Sequence, residues 1–207
     1  MIYKETKSLF LKKYQYKVVL VCPAASGFRG GYFETALKEL KNYKLGDKIF
    51  GWQNRIQNQF DLENSIDVCT DLKNLQSIEV RVESPWISIY TNNVKDVNIL
   101  AKKYANIIKY ISKPAKPDTL EDDTIVMPKM DYDFKVTLAA SKTEHSAFVQ
   151  WAETNAKLKV TKSCKRDLLR PRSWGGTHFY VTGNNNLLMA KMHLGGCIAK
   201  IQRIIKE

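Results

Sequence analysis

The chain has 207 residues, a net charge of +12, 44% apolar residues and 11% aromatic residues. This composition supports a folded core and argues against a wholly disordered chain. No apolar run approaches the roughly 20 residues that a membrane-spanning helix needs. The charged N-terminus lacks the apolar stretch of a secretory signal, so we expect no membrane partner and no secretion.

The four cysteines, Cys22, Cys69, Cys164 and Cys197, are far apart in the sequence. Structural zinc sites usually include a close cysteine pair, so we expect buried free thiols, no metal and no cofactor. Free thiols are typical of a reducing compartment such as the cytoplasm. Lysine outnumbers arginine by 26 to 7. This bias is common in AT-rich genomes and makes a phage origin one hypothesis.

Positive charge is concentrated toward the C-terminus. Residues 131–207 contain 13 basic and 6 acidic residues, against 20 and 15 in residues 1–130. Excess cations favour polyanionic partners through counterion release and long-range attraction. The charge alone does not distinguish DNA, RNA and an acidic protein.

The first 112 residues predict a ferredoxin-like α+β domain, with the order β-α-insertion-β-β-α-β. The hydrophobic periodicity predicts a strand at 16–22, a helix at 30–43, a hairpin of strands 78–83 and 86–91 joined at Ser84-Pro85, a helix capped by Asn93, and a strand at 107–112. The insertion covers about residues 44–76, with one short helix at 53–60 and loop elsewhere.

Residues 113–130 predict a linker, because they include Pro114, Pro117 and Pro128 together with an acidic cluster. Residues 131–207 predict a second, basic α+β domain, a degenerate version of the first without a literal sequence repeat. We expect a strand at 132–139, a helix opened by a capping box from Ser141 to Glu144, a strand at 158–161 and a hairpin of strands 177–182 and 187–194. Residues 198–205 fit a strand or a helix.

The strongest candidate site is a basic segment that ends next to a tryptophan. Phosphate-binding cations beside an aromatic ring are typical of single-strand nucleic-acid binding. The alternative is a solvated basic loop without a specific ligand. The candidate residues are Lys157, Lys159, Lys162, Lys165, Arg166, Arg170, Arg172 and Trp174.

The predicted hairpin at 177–194 supplies further candidates. Its alternation places Phe179 and Val181 in the core, and His178, Tyr180 and Lys191 on the opposite face. Histidine and tyrosine on an open sheet face can stack on bases. Packing of that face against the first domain is the alternative interpretation.

A glycine-rich turn between the first strand and the first helix includes Gly27, Arg29, Gly30 and Gly31. Free amides at a helix N-terminus can bind phosphate, but the segment matches neither the P-loop nor the dinucleotide-binding pattern. A purely structural turn is the alternative.

The sequence predicts a non-enzymatic nucleic-acid-binding protein, with single strands favoured and no catalytic residue assigned. The second hypothesis is an assembly protein, such as a phage complex subunit, with an acidic protein partner. The third is a metal-dependent nuclease that uses Asp131 and Asp133 or the run Glu121-Asp122-Asp123.

Overall fold

The computed structural model describes residues 2–47, 56–115 and 120–206. The chain divides into two compact units, Met1–Thr119 and Leu120–Glu207. In the described residues each unit is a mixed α+β structure with one five-stranded mixed sheet. No helix in these ranges has the length and apolar character needed to cross a bilayer.

The first unit begins with two strands and continues with helices packed on one side of its sheet. Its elements are β1 (Tyr3–Thr6), β2 (Tyr16–Val21), α1 (Phe33–Asn42), α2 (Gln59–Asn74), β3 (Glu79–Glu83), β4 (Trp86–Thr91), α3 (Val94–Lys103) and β5 (Ile108–Pro114). The predicted hairpin of β3 and β4 is confirmed. The Asn93 side chain accepts a hydrogen bond from the Lys95 amide at 3.0 Å, which confirms the predicted cap.

The strands of the first sheet lie in the order β1-β5-β2-β4-β3, with β1 parallel to β5 and all other neighbours antiparallel. Alternation along β2 and β4 points one set of apolar side chains toward the helices. The core of this unit includes Val18, Leu20, Leu40, Leu72, Ile87, Ile89, Leu100 and Ile111. We call the sheet face opposite the helices the outer face.

The second unit has a similar order of strands and helices over fewer residues, with an additional helix between its third and fourth strands. Its elements are β6 (Thr124–Val126), β7 (Phe134–Leu138), α4 (Ser146–Thr154), β8 (Leu158–Val160), α5 (Lys162–Leu168), β9 (His178–Val181), α6 (Asn184–Leu194) and β10 (Ile198–Ile205). Its strand order is β6-β10-β7-β9-β8, with β6 parallel to β10. Its core includes Val136, Leu138, Phe148, Leu158, Cys164, Phe179, Val181, Leu187, Ala190 and Leu194.

Two predictions for the second unit are wrong, the strand at 187–194 and the capping box at Ser141–Glu144. Residues 187–194, predicted as a strand, belong to helix α6, because Leu187, Ala190 and Leu194 at helical spacing enter the core. The predicted capping box does not form: α4 begins after His145, and no side chain caps it. Residues 198–205, for which the sequence fits either a strand or a helix, form the strand β10.

The segments predicted as insertion and linker contain regular structure. Helix α2 occupies residues 59–74 instead of 53–60, and Asn58 caps it by accepting from the Asp61 amide at 2.8 Å. Residues 53–55 of the predicted short helix lie outside the described residues. The predicted linker includes the end of β5 and all of β6, while its residues 116–119 also lie outside the described ranges.

The two sheets match in strand order, direction and register. Ile111 of β5 lies opposite Val18, and Ile201 of β10 lies opposite Val136. The register shifts across Lys109 in one sheet and at the equivalent Ala199 in the other. The second unit therefore repeats the strand pairing of the first, including its irregularity.

A short sequence motif accompanies this structural repeat, which corrects the expectation that the two domains share no repeated sequence. Tyr14-Gln-Tyr-Lys-Val-Val-Leu20 corresponds to Tyr132-Asp-Phe-Lys-Val-Thr-Leu138. In the structure Lys17 lies opposite Tyr90, and Lys135 lies opposite Tyr180. The ring centroids of Tyr14 and Tyr90 are 6.3 Å apart, and those of Tyr132 and Tyr180 are 5.9 Å apart. The repeat thus extends from the backbone to a set of outer-face side chains.

Candidate nucleic-acid interface

The loop between α5 and β9 presents Trp174, and backbone hydrogen bonds hold this loop against β7. Ser141 and Ser173 exchange amide-to-carbonyl bonds of 3.2 and 2.9 Å, and the Gly176 amide donates to the Leu138 carbonyl at 2.8 Å. Gly175, with a φ of +73°, lies so close to Ala139 and Ala140 that a Cβ there would be 2.4 Å from the Ala139 carbonyl carbon. The tryptophan therefore projects from an anchored loop.

Trp174 is 97% exposed, although tryptophan is among the side chains that gain most from burial. It borders a cleft of about 650 Å³ lined by Ala140, Ser141, Lys142, Arg172, Ser173 and Trp174. Lys142 and Arg172 are exposed, and no carboxylate of the described chain lies within 4.0 Å of either. An indole ring and two uncompensated cations are thus available to one ligand.

The Ser141 hydroxyl lies beside this cleft and contacts both polar and sulfur groups. It donates to the Thr143 carbonyl at 2.9 Å, and its oxygen lies 3.3 Å from His145 Nε2 and 3.4 Å from Cys197 Sγ. Because a hydroxyl has one proton and the carbonyl is the closer acceptor, the imidazole is not placed to take that proton. Ser141 therefore shapes the turn before α4 in place of the predicted capping box.

The predicted basic segment is divided among four structural settings. Lys157 lies in the turn after α4, Lys159 lies on β8, α5 carries Lys162, Lys165 and Arg166, and the loop after α5 carries Arg170 and Arg172. Lys165 forms an ion pair with Glu153 of α4, so part of its charge is neutralised. The other cations from 157 to 172 have no ion-pair partner among the residues that the structure describes.

Tyr180 lies on the outer face as predicted, but its ring is 8% exposed and packs on Tyr132. Its hydroxyl lies 3.1 Å from His178 Nε2. Burial, followed by the nearby Lys135 ammonium, lowers the pKa of His178. His178 and Tyr180 are therefore held by each other and by Tyr132, which leaves Trp174 as the freely accessible ring of the predicted set.

Lys191 does not share a surface with Tyr180, which corrects its predicted position. It is an exposed residue of α6, and that helix packs on the core face of the sheet through Leu187 and Ala190. The prediction was wrong because it assigned residues 187–194 to a strand. The Lys191 side chain thus projects from the helical side of the unit.

The glycine-rich turn forms two short 3₁₀ turns between Ala25 and Gly31, separated by a kink at Arg29 and Gly30, and the Gly27 amide donates to the Ala24 carbonyl at 3.0 Å. Phe28 is fully buried, and Gly30 and Gly31 have φ values of +74° and +76°. Arg29 is exposed. The turn anchors Phe28 in the core, and its phosphate-binding role stays a prediction.

Asp133, one of the carboxylates in the nuclease hypothesis, already accepts two hydrogen bonds within the chain. Asp133 accepts from the Gly183 amide at 2.9 Å and from Lys206 Nζ at 3.0 Å, and these bonds, with Lys206 first, lower its pKa. Within the described ranges no group of three or more His, Cys, Asp or Glu side chains is placed to hold a metal ion. Asp133 thus joins the start of α6 to the end of β10.

The sequence indicated the exposed tryptophan and most of the cations, but it did not indicate Lys142. That residue is distant from Trp174 in sequence, and the Ser141–Ser173 bridge brings the two together. Comparisons with known protein families, curated proteins and solved structures gave no match to this chain. The functional argument therefore depends on the site's own geometry.

Proposed function

We propose that this protein is a non-enzymatic nucleic-acid-binding protein that prefers single strands. The observation that supports the proposal most is the 97% exposed Trp174, held on an anchored loop at a cleft that Lys142 and Arg172 also line. A base can stack on the indole while the cations contact the neighbouring phosphates, the combination that single-strand binding proteins use. The net charge of +12 adds long-range attraction for the polyanion.

The proposal also takes each unit as a ferredoxin-like arrangement with one strand added. The sheet order β5-β2-β4-β3 in the first unit and the equivalent order β10-β7-β9-β8 in the second support this interpretation. Helices on one face leave the outer face for contacts, as in RNA-binding domains built on a sheet. The free thiols of Cys22, Cys69 and Cys164 are consistent with action in the cytoplasm.

The test compares Trp174→Ala with wild type in equilibrium binding to labelled single-stranded DNA, single-stranded RNA and duplex DNA. Loss of one stacked base costs about 1–3 kcal/mol, so we expect roughly 5- to 150-fold weaker single-strand binding. The folded state loses little, since surface substitutions usually change stability by less than about 0.5 kcal/mol. Phe60→Ala is the matched control, because Phe60 is a 58% exposed aromatic residue of the other unit.

Equal affinities of wild type and Trp174→Ala for single strands would contradict the proposal. So would tighter binding to duplex DNA than to either single strand. A thermal unfolding midpoint that matches wild type separates loss of the contact from loss of the fold.

A second candidate function is an assembly subunit with an acidic protein partner. Leu188, Met189 and Met192 of α6 are 58%, 42% and 70% exposed and flank the exposed Lys191. An apolar patch with an adjacent cation suits a protein surface better than a phosphate backbone. Absence of oligonucleotide binding at low salt would favour this candidate over the first.

A further inference from the structure

The repeated outer-face constellation places one lysine at the same point of each sheet. Lys17 on β2 lies opposite Tyr90, and Lys135 on β7 lies opposite Tyr180. Other positions of the two outer faces differ: Val19 corresponds to Thr137, and Ser88 to His178. The lysine and its tyrosine are thus the same in both units, although their neighbours differ.

Lys17 is partly buried among aromatic rings. Its Nζ lies 5.5 Å from the centroid of Tyr90 and 5.8 Å from that of Tyr110. Lys4 Nζ lies over the same Tyr110 ring at 3.9 Å, so two ammonium groups share one aromatic surface. Glu79, which faces Tyr90 from β3, is paired with Arg81 at 3.0 Å. The Glu79 carboxylate, which is nearest in register to Lys17, is therefore paired with Arg81.

Lys135 has an equally basic neighbourhood. It faces Tyr180 on one side and Gln202 on the other, and Lys159 of β8 faces Tyr180 from the far side. The Lys135 charge contributes to the lowered pKa of His178. Among the described residues neither Lys17 nor Lys135 has a carboxylate within 4.0 Å.

Burial lowers the pKa of Lys17, but hydrogen bonds and electrostatic contacts with Tyr110 and Tyr90 outweigh it and raise the pKa, so the folded chain favours the charged form. A neutral side chain could fill the same space, yet both units have lysine there. An external anion at each sheet supplies the partner that the carboxylates of the described residues do not.

We infer that Lys17 and Lys135 are equivalent phosphate-contacting residues, one on each sheet, and that the chain binds single-stranded nucleic acid at two surfaces. This inference rests on the proposed function and adds a second contact surface in the first unit. Each lysine contacts a backbone phosphate, and in the first unit Tyr90 and Tyr110 hold the Lys17 ammonium group in place.

The experiment measures the dependence of the association constant on salt for an oligothymidylate long enough to reach both surfaces. Neutralising one phosphate contact to a single strand changes the slope of log K against log salt by about 0.7. We expect Lys17→Gln and Lys135→Gln each to reduce the slope by about 0.7 and the double variant by about 1.4. Lys38→Gln on α1, an exposed lysine on the helical side of the first unit, should leave the slope unchanged.

Arginine variants keep the test valid if glutamine disturbs the fold. Lys17→Arg and Lys135→Arg retain the charge and should retain the wild-type slope. Unchanged slopes in both glutamine variants, or a reduced slope in only one of them, would overturn the inference. If wild type still binds single strands in a salt-dependent way, the proposed function is retained. Absence of salt-dependent binding by wild type would instead remove the proposed function itself.

Discussion

The anchoring of the Trp174 loop can be tested by adding one methyl group at Gly175. A Cβ at this position would lie 2.4 Å from the Ala139 carbonyl carbon, 2.5 Å from the Ala140 nitrogen and 2.7 Å from the Ala139 oxygen. These are backbone atoms, so no rotamer change can relieve the overlap. Gly176 is the matched control, since it has a similar φ of +80°, but a Cβ added there would meet nothing within 4 Å beyond its chain neighbours.

Both substitutions place a side chain on left-handed backbone, but only Gly175→Ala also introduces a steric overlap. A left-handed conformation costs a non-glycine residue about 1–2 kcal/mol, which Gly176→Ala and Gly175→Ala both incur. Overpacking adds about 1–3 kcal/mol for Gly175→Ala alone. Gly175→Ala should also weaken oligonucleotide binding, because the loop must move away from Ala139 and carries Trp174 with it.

Urea denaturation followed by far-ultraviolet circular dichroism gives the two free energies of unfolding, and fluorescence anisotropy gives the affinities. Equal destabilisation by the two variants would refute the close approach at Gly175. A large loss of stability in Gly175→Ala with wild-type oligonucleotide affinity would show that the loop position does not matter for binding.

Two further predictions concern the fold and its pH dependence. The Tyr104 hydroxyl donates to the Asp71 carboxylate at 2.6 Å, and Lys103 Nζ lies 2.9 Å from the same carboxylate. Tyr104→Phe removes the hydroxyl and should lower the free energy of unfolding, measured in urea, by about 1–2 kcal/mol. A free energy of unfolding equal to that of wild type would contradict this hydrogen bond. Burial and, to a smaller extent, the Lys135 charge lower the pKa of His178 below 6.5. His178 therefore binds a proton more readily in the unfolded chain, and the free energy of unfolding should fall as the pH drops through 6.5. His178→Gln should reduce that fall in the unfolding midpoint, and an identical pH profile would argue against it.

The sequence predicted elements whose signals were local. The hairpin of β3 and β4 has clear alternation with Pro85 at its turn, and Asn93 is followed by a helical apolar stripe. Strand β10 was ambiguous because the register shift at Ala199 breaks the alternation and leaves Ile198 and Ile201 three residues apart, a helical spacing. A bulge depends on the partner strand, so its position was not visible in the sequence.

Most of helix α6 was predicted as a strand, for a different reason. Residues 187–194 satisfy both a strand alternation and a helical stripe, and the preceding Gly183 is as suitable for a turn as for the start of a helix. Packing of Leu187 and Ala190 into the core decides between them. The strands β1 and β6 were missed because each is short and acquires its structure by pairing with the last strand of its sheet.

The candidate site was predictable in composition but not in arrangement. The cations from Lys157 to Arg172 and the adjacent Trp174 are visible in the sequence, whereas the pairing of Lys165 with Glu153 and the approach of Lys142 require the fold. The repeated lysine–tyrosine pair was also missed, since its two members are on different strands and only the sheet register joins them.

The most direct measurement is the salt dependence of wild-type binding to a single-stranded oligonucleotide. If the cations at the Trp174 cleft contact phosphates, the logarithm of the association constant falls linearly with the logarithm of the salt concentration, with a slope of about 0.7 for each phosphate neutralised. Contacts from Lys142 and Arg172 alone predict a slope of about −1.4 or steeper. A slope near zero, or no binding at low salt, would contradict the account.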